Sequence, residues 1–123
     1  MLLYISNQLW RKSEYIKKNS MKYGLKEIDI QKIISVFATY PEIEKAILYG
    51  SRAKGNYREG SDIDLSLVGK ALNFDILLKI ETQLDDLLLP YTIDVSLYQA
   101  LDNFDLIQHI DRVGIRMYEK TNK

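Results

Sequence analysis

The sequence predicts an α/β (α+β) fold: a small mixed β-sheet with helices packed on one face and the other face left open. Three observations carry that prediction. Residues 62–68 and 91–97 alternate polar and apolar side chains, and 45–49 is a short apolar run, so three strands are marked. Apolar side chains at helical spacing lie before and between them, as in Ile30, Ile33, Ile34 and Phe37 and again in Leu77, Ile80 and Leu84. Pro41 and Pro90 then stand where the two helical runs must stop. The 123 residues suffice for one compact domain and are too few for two.

Residues 1–20 differ in character from the rest. Arg11, Lys12, Lys17 and Lys18 face a single acid, Glu14. These charges follow the apolar start and no small-residue cleavage site appears, which argues against a targeting segment. The stretch reads as a dispensable helical extension or an overlong start, since Met21 would serve equally well. Its functional alternative is a partner-binding helix using Leu2, Leu3, Ile5, Leu9 and Trp10. Residues 21–123 form the domain proper.

Within it, a core-facing helix spans about 26–40, and Lys45 to Tyr49 form a buried strand. Gly50 then allows a sharp turn, and Ser51 can cap a short helix starting near Arg52. The turn-rich stretch 55–61 returns the chain to the strand at 62–68. Asn73 can cap a helix running to about Leu88, with Glu81, Asp85 and Asp86 on its solvated face. A strand at 91–97 follows, and then a helix from near Asn103 to Val113 or Gly114. The resulting order is αβαβαβα.

The chemistry lies in the polar positions of these strands. Asp62, Asp64 and Ser66 share one face of theirs, while Ile63, Leu65 and Leu67 take the other. Ile-Asp-Leu-Ser-Leu at 63–67 is echoed by Ile-Asp-Val-Ser-Leu at 93–97. If the two strands are neighbours, Asp94 can join the same face. Aspartate is depleted in strands, so three on matched faces is hard to read as decoration. Acids two apart on a strand have Cα atoms roughly 6–7 Å apart, and a third nearby adds repulsion that a cation or a proton relieves. A hard cation such as Mg²⁺ suits oxygen donors. Zinc is a poor candidate for a chain with no cysteine and one histidine.

Gly50 and Ser51 form a turn with backbone N–H groups able to attract phosphate, and Arg52 and Lys54 add positive charge. A Gly-Ser after a strand is commonly only a turn. Joined to the carboxylates it becomes one half of a site for in-line attack on a nucleotide phosphate, with two ions about 3.5–4 Å apart clamping the attacking and leaving oxygens.

Gly50-Ser51-Arg52, followed after residue 61 by Asp62-Ile63-Asp64, resembles the signature of the DNA polymerase β-like nucleotidyltransferase superfamily. The short chain looks like its minimal nucleotidyltransferases (MNT), many of which are antitoxins in HEPN/MNT toxin–antitoxin pairs. The resemblance covers roughly residues 25–118. It implies the palm-like fold of that superfamily. Gly50 and Ser51 would hold the triphosphate of ATP, and Asp62 and Asp64 would ligate two Mg²⁺ ions. Asp94 would help bind the catalytic metal and activate an acceptor hydroxyl. It further implies transfer of AMP from ATP, with a tyrosine of a partner HEPN toxin as acceptor. Arg52 and Lys54 are compatible with phosphate contact, though the family match does not fix their roles.

A formal net charge of zero supplies no global field to recruit nucleic acid, so direct nucleic-acid binding is not expected. The absence of cysteine excludes disulfides and thiol chemistry and fits a cytoplasmic protein. No apolar run approaches the roughly 20 residues that span a bilayer. An uncovered sheet edge or helix face leaves room for a homo- or hetero-oligomer. His109, the only histidine, reads as a structural or solvent residue, and Tyr49, beside the phosphate turn, is the tyrosine placed for nucleotide contact. Two other functions stay open: a non-catalytic antitoxin or binding module, and, ranked lowest, an aminoglycoside-type small-molecule nucleotidyltransferase.

Overall fold

The computed structural model describes residues 20–121. The extension expected over residues 1–20 therefore lies, except for Ser20, outside the described residues. The described chain opens on a tight hairpin in which β1 (Met21–Lys22) pairs antiparallel with β2 (Leu25–Lys26). Tyr23 and Gly24 between them have φ of 58° and 73°. Positive φ at both central residues matches the twist of a two-residue hairpin. The expected order of elements lacks this hairpin, because two-residue strands carry no periodicity.

Helix α1 (Glu27–Ala38) follows and buries Ile30, Ile33, Val36 and Phe37. It ends short of Pro41, with Thr39 and Tyr40 donating back to the carbonyls of Val36 and Phe37. The main sheet has the order β5-β4-β3-β6, formed by β3 (Lys45–Tyr49), β4 (Ile63–Val68), β5 (Ile93–Leu97) and β6 (Ile115–Glu119). β3 runs antiparallel to both β4 and β6, whereas β4 and β5 are parallel. A parallel pair needs a crossover, which α3 (Phe74–Asp85) supplies. Asn73 caps that helix as expected, its side chain accepting from the Ile76 N–H at 2.9 Å. The helix stops at Asp85 rather than near Leu88, which sits at φ 54° and is 88% exposed.

One face of the sheet makes the core. Ala46, Leu48, Ile63, Leu65 and Leu67 have no accessible surface, and they pack with Ile33, Phe37 and Ile80 from α1 and α3. Burial of each large aliphatic side chain contributes about 1.5–3 kcal/mol. The helices α1 and α3 thus cover a single face. The last helix, α4 (Phe104–Val113), begins at Asn103, whose side chain accepts from the Leu106 N–H. It lies on the opposite face, over β3: its His109 meets the Tyr49 ring, and a Cβ at Gly114 would collide with Ile47 and with the Ile110 carbonyl. Ile110 is correspondingly 1% exposed.

β6 adds a fourth strand to the three expected. Its sequence, Ile-Arg-Met-Tyr-Glu, alternates, but only Ile115 and Met117 mark the apolar face. Such a signal is weak at the end of a helix, and pairing with β3 is what fixes it.

Candidate active site

The echo between 63–67 and 93–97 has a direct structural meaning. In the parallel β4–β5 ladder Ile63 pairs with Ile93, Asp64 with Asp94, Leu65 with Val95, and Ser66 with Ser96. Apolar residues stack toward the core, and the polar ones stack on the other face. Asp64 and Asp94 are therefore direct neighbours. Asp62 lies immediately before β4, outside the strand, and is exposed. Deeper along the same face the Ser96 hydroxyl donates to Ser66 Oγ at 3.4 Å.

The electrostatics follow from this placement. Partial burial pushes the Asp64 carboxyl above its ordinary value, and the charges of Asp94 and then Asp62 push it further, against a smaller opposing pull from Arg52. Tyr49, opposite Asp64 in the β3–β4 ladder, has its phenol raised chiefly by burial; a hydrogen bond with Ser96 opposes this, and the Asp64 and Asp94 charges add to it.

Gly50 begins α2 (Gly50–Lys54) directly after β3. Its φ is 74°, a conformation that side chains disfavour. A Cβ there would collide with Asp64 Oδ2. Glycine is thus required twice over, and the turn and the carboxylate touch. Ser51 is not the cap of this helix, as the sequence suggests, but its second residue; the extended residue before it is Tyr49. The Ser51 carbonyl accepts from the N–H groups of Gly55 and Asn56, closing the turn after one cycle.

Arg52 and Lys54 part company. The Arg52 side chain is 3% exposed and points into the body of the protein. Nε and one terminal nitrogen donate to the Ser61 carbonyl at 3.1 and 2.8 Å, and the other donates to the Tyr23 carbonyl at 3.0 Å. The rings of Tyr57 and Tyr91 lie against it, 5.4 and 5.5 Å from the guanidinium carbon. Three of its five N–H donors tie the hairpin and the 55–61 loop to α2. The structure thus gives Arg52 a structural role, as a tie between these segments. Lys54 is exposed.

His109 enters the site although the sequence gives no sign of it. Its Nε2 accepts a hydrogen bond from the Gly50 N–H at 3.1 Å, and its ring meets Tyr49 edge-on at 6.1 Å. The partners are 59 residues apart, so no local pattern could link them.

Among the described residues, no three histidine, cysteine, aspartate or glutamate side chains are grouped closely enough to form a ready-made metal cage. Mg²⁺ does not require one, since it takes one or two carboxylates and completes its shell with water and substrate phosphate. The paired Asp64 and Asp94 and the nearby Asp62 give an all-oxygen set whose mutual repulsion a cation would relieve. The donor chemistry fits that ion. None of the described helices is long and apolar enough to cross a membrane.

Residues 31–123 match the family model described as Polymerase beta, Nucleotidyltransferase. No curated protein matches the chain. Among solved structures, a crystal structure of a toxin-antitoxin with AMP-PNP aligns at a TM-score of 0.61 and 20% identity, covering 74% of this chain and 73% of that one. The toxin-antitoxin MntA-HepT aligns at 0.58 and 18% identity, with 77% and 74% covered. A tri-AMPylated Shewanella oneidensis HEPN toxin in complex with MNT antitoxin aligns at 0.57 and 18%, with 76% and 72% covered. At such identities the likeness to these structures is one of fold.

Proposed function

The chain belongs to the polymerase β nucleotidyltransferase family, and from that premise we propose that it transfers AMP from ATP to a hydroxyl of a partner protein in a Mg²⁺-dependent reaction. The observation that carries this reading is the contact between the two halves of the site. Gly50 lies against the Asp64 carboxylate, and Asp64 is paired with Asp94. A triphosphate seated on Gly50 and Ser51 would bring its α-phosphorus beside the carboxylates.

In this reaction the acceptor oxygen attacks the α-phosphorus, a new P–O bond forms, and the α–β anhydride bond breaks to release pyrophosphate. Asp94 accepts the proton of the attacking hydroxyl. The paired Asp64 and Asp94, with Asp62 nearby, would hold the metal, which would supply positive charge to neutralise the phosphate oxygens. Gly50 lets the backbone approach the triphosphate closely, and Ser51 orients it through its N–H and hydroxyl. Lys54, exposed one turn beyond Ser51, supplies a flexible positive charge to the phosphates.

The acceptor proposed is a tyrosine of a HEPN-type toxin, and the chain acts as the antitoxin, in the cytoplasm. Supporting this are the toxin-antitoxin neighbours, one with AMP-PNP and one with a tri-AMPylated HEPN toxin. Incubation with α-labelled ATP, Mg²⁺ and a HEPN partner should label the partner and release pyrophosphate. Neutralisation of the toxin without any label would instead favour a non-catalytic binding module.

A further inference from the structure

We infer that His109 is a positioning residue for the phosphate turn, holding the N–H of Gly50 while the Asp64 carboxylate lies against the same residue. The inference rests on the ATP-binding reading above and adds a residue from a different part of the chain. Gly50 is fixed at φ 74°, and the Asp64 carboxylate blocks one side of its Cα. Its N–H is directed to His109 Nε2 at 3.1 Å. An imidazole nitrogen that accepts carries no proton there, so the other ring nitrogen bears it.

The imidazole is itself held firmly. It meets Tyr49 edge-on, with the rings inclined at 80°. Its helix is anchored by the Asn103 cap, by a 2.8 Å hydrogen bond from the Tyr98 hydroxyl to Asp111 Oδ1, and by Ile110, which is 1% exposed. Gly114 lets the chain leave α4 in close contact with Ile47 of β3. A post fixed at so many points can hold the turn in one orientation before nucleotide arrives. With the Gly50 N–H taken by the imidazole, the Ser51 N–H and hydroxyl are the donors left to face phosphate. Preorganisation of this kind lowers the ordering cost of binding.

Three variants separate the hydrogen bond from ring packing. His109→Phe keeps a ring against Tyr49 but has no acceptor. His109→Gln places an amide oxygen near the position of Nε2, and His109→Ala removes both features. Affinity for a non-hydrolysable ATP analogue with Mg²⁺ is measured by calorimetry, and Tm is recorded for each protein. The Phe and Ala variants should bind about three- to tenfold more weakly, the scale of one lost hydrogen bond, and the Gln variant should stay within about twofold of wild type. Equal affinity of the Phe variant and wild type overturns the inference, as does a Gln variant as weak as Phe. Absence of nucleotide binding by wild type overturns the ATP reading and this inference with it, an outcome distinct from the other two.

Discussion

Asp64 and Asp94 are direct register partners on adjacent parallel strands. Partial burial raises the Asp64 carboxyl above its ordinary value, and the like charge of Asp94 held beside it raises it further. The folded protein thus binds a proton at this position more readily than the unfolded chain, whose reference value is 3.8. Ionisation of Asp64 therefore costs stability. The cost is absent below that reference value, grows through the folded-state value and is complete above it. In metal-free protein at pH 7, Asp64→Asn should raise Tm, and the gain should vanish near pH 3. Mg²⁺ with nucleotide should raise the Tm of wild type and leave that of Asp64→Asn unchanged. Thermal melts across pH, with and without the ion, check both parts.

Gly50 disfavours a side chain on two counts. Its φ of 74° disfavours any L-residue, and a Cβ would meet Asp64 Oδ2. Gly50→Ala should destabilise the fold by about 2 kcal/mol or more and reduce transferase activity by more than about tenfold, because relief of the clash displaces the carboxylate or the turn. Urea unfolding and initial rates measure the two effects.

Arg52 and Lys54 should fail in different assays. Loss of the three part-buried Arg52 hydrogen bonds leaves the Ser61 and Tyr23 carbonyls without these donors. Arg52→Ala should cost about 2–4 kcal/mol, and Arg52→Lys should rescue little of it, since an ammonium cannot reproduce the planar fork. Lys54→Ala should leave the unfolding free energy within about 0.5 kcal/mol of wild type while raising the KM for ATP. Denaturation curves and steady-state kinetics on the two variants distinguish the tie from the phosphate contact.

The caps provide a control for the site. Asn73→Ala should destabilise the protein by about 1 kcal/mol without altering nucleotide affinity, for α3 lies on the core side of the sheet. Asn103→Ala should cost a similar amount of stability, about 1 kcal/mol, and should also weaken nucleotide binding, because α4 carries His109. Calorimetric titration of both variants supplies the comparison.

Much of the site was legible because its chemistry is written in strand periodicity. The pairing of Asp64 with Asp94 follows from two five-residue segments of the same texture, which the parallel ladder aligns residue for residue. The helix starts at Asn73 and Asn103 were equally local, since one side chain meets an N–H three residues on. What the sequence did not disclose depends on distant partners. Arg52 is compatible with phosphate contact by its place in the chain, and its hydrogen bonds to carbonyls 9 and 29 residues away carry no local sign. His109 looked like an ordinary helical residue because its partner is the backbone of the phosphate turn. β6 was hidden for the same reason, being an edge strand whose identity comes from β3.

The most direct test of metal-dependent AMP transfer to a partner is the intact mass of a HEPN-type toxin co-expressed with this chain. Toxin isolated with the wild-type chain should carry one or more adenylyl groups on a tyrosine, and toxin isolated with Asp64→Asn should carry none. An unmodified toxin bound to, and neutralised by, both proteins would contradict the account.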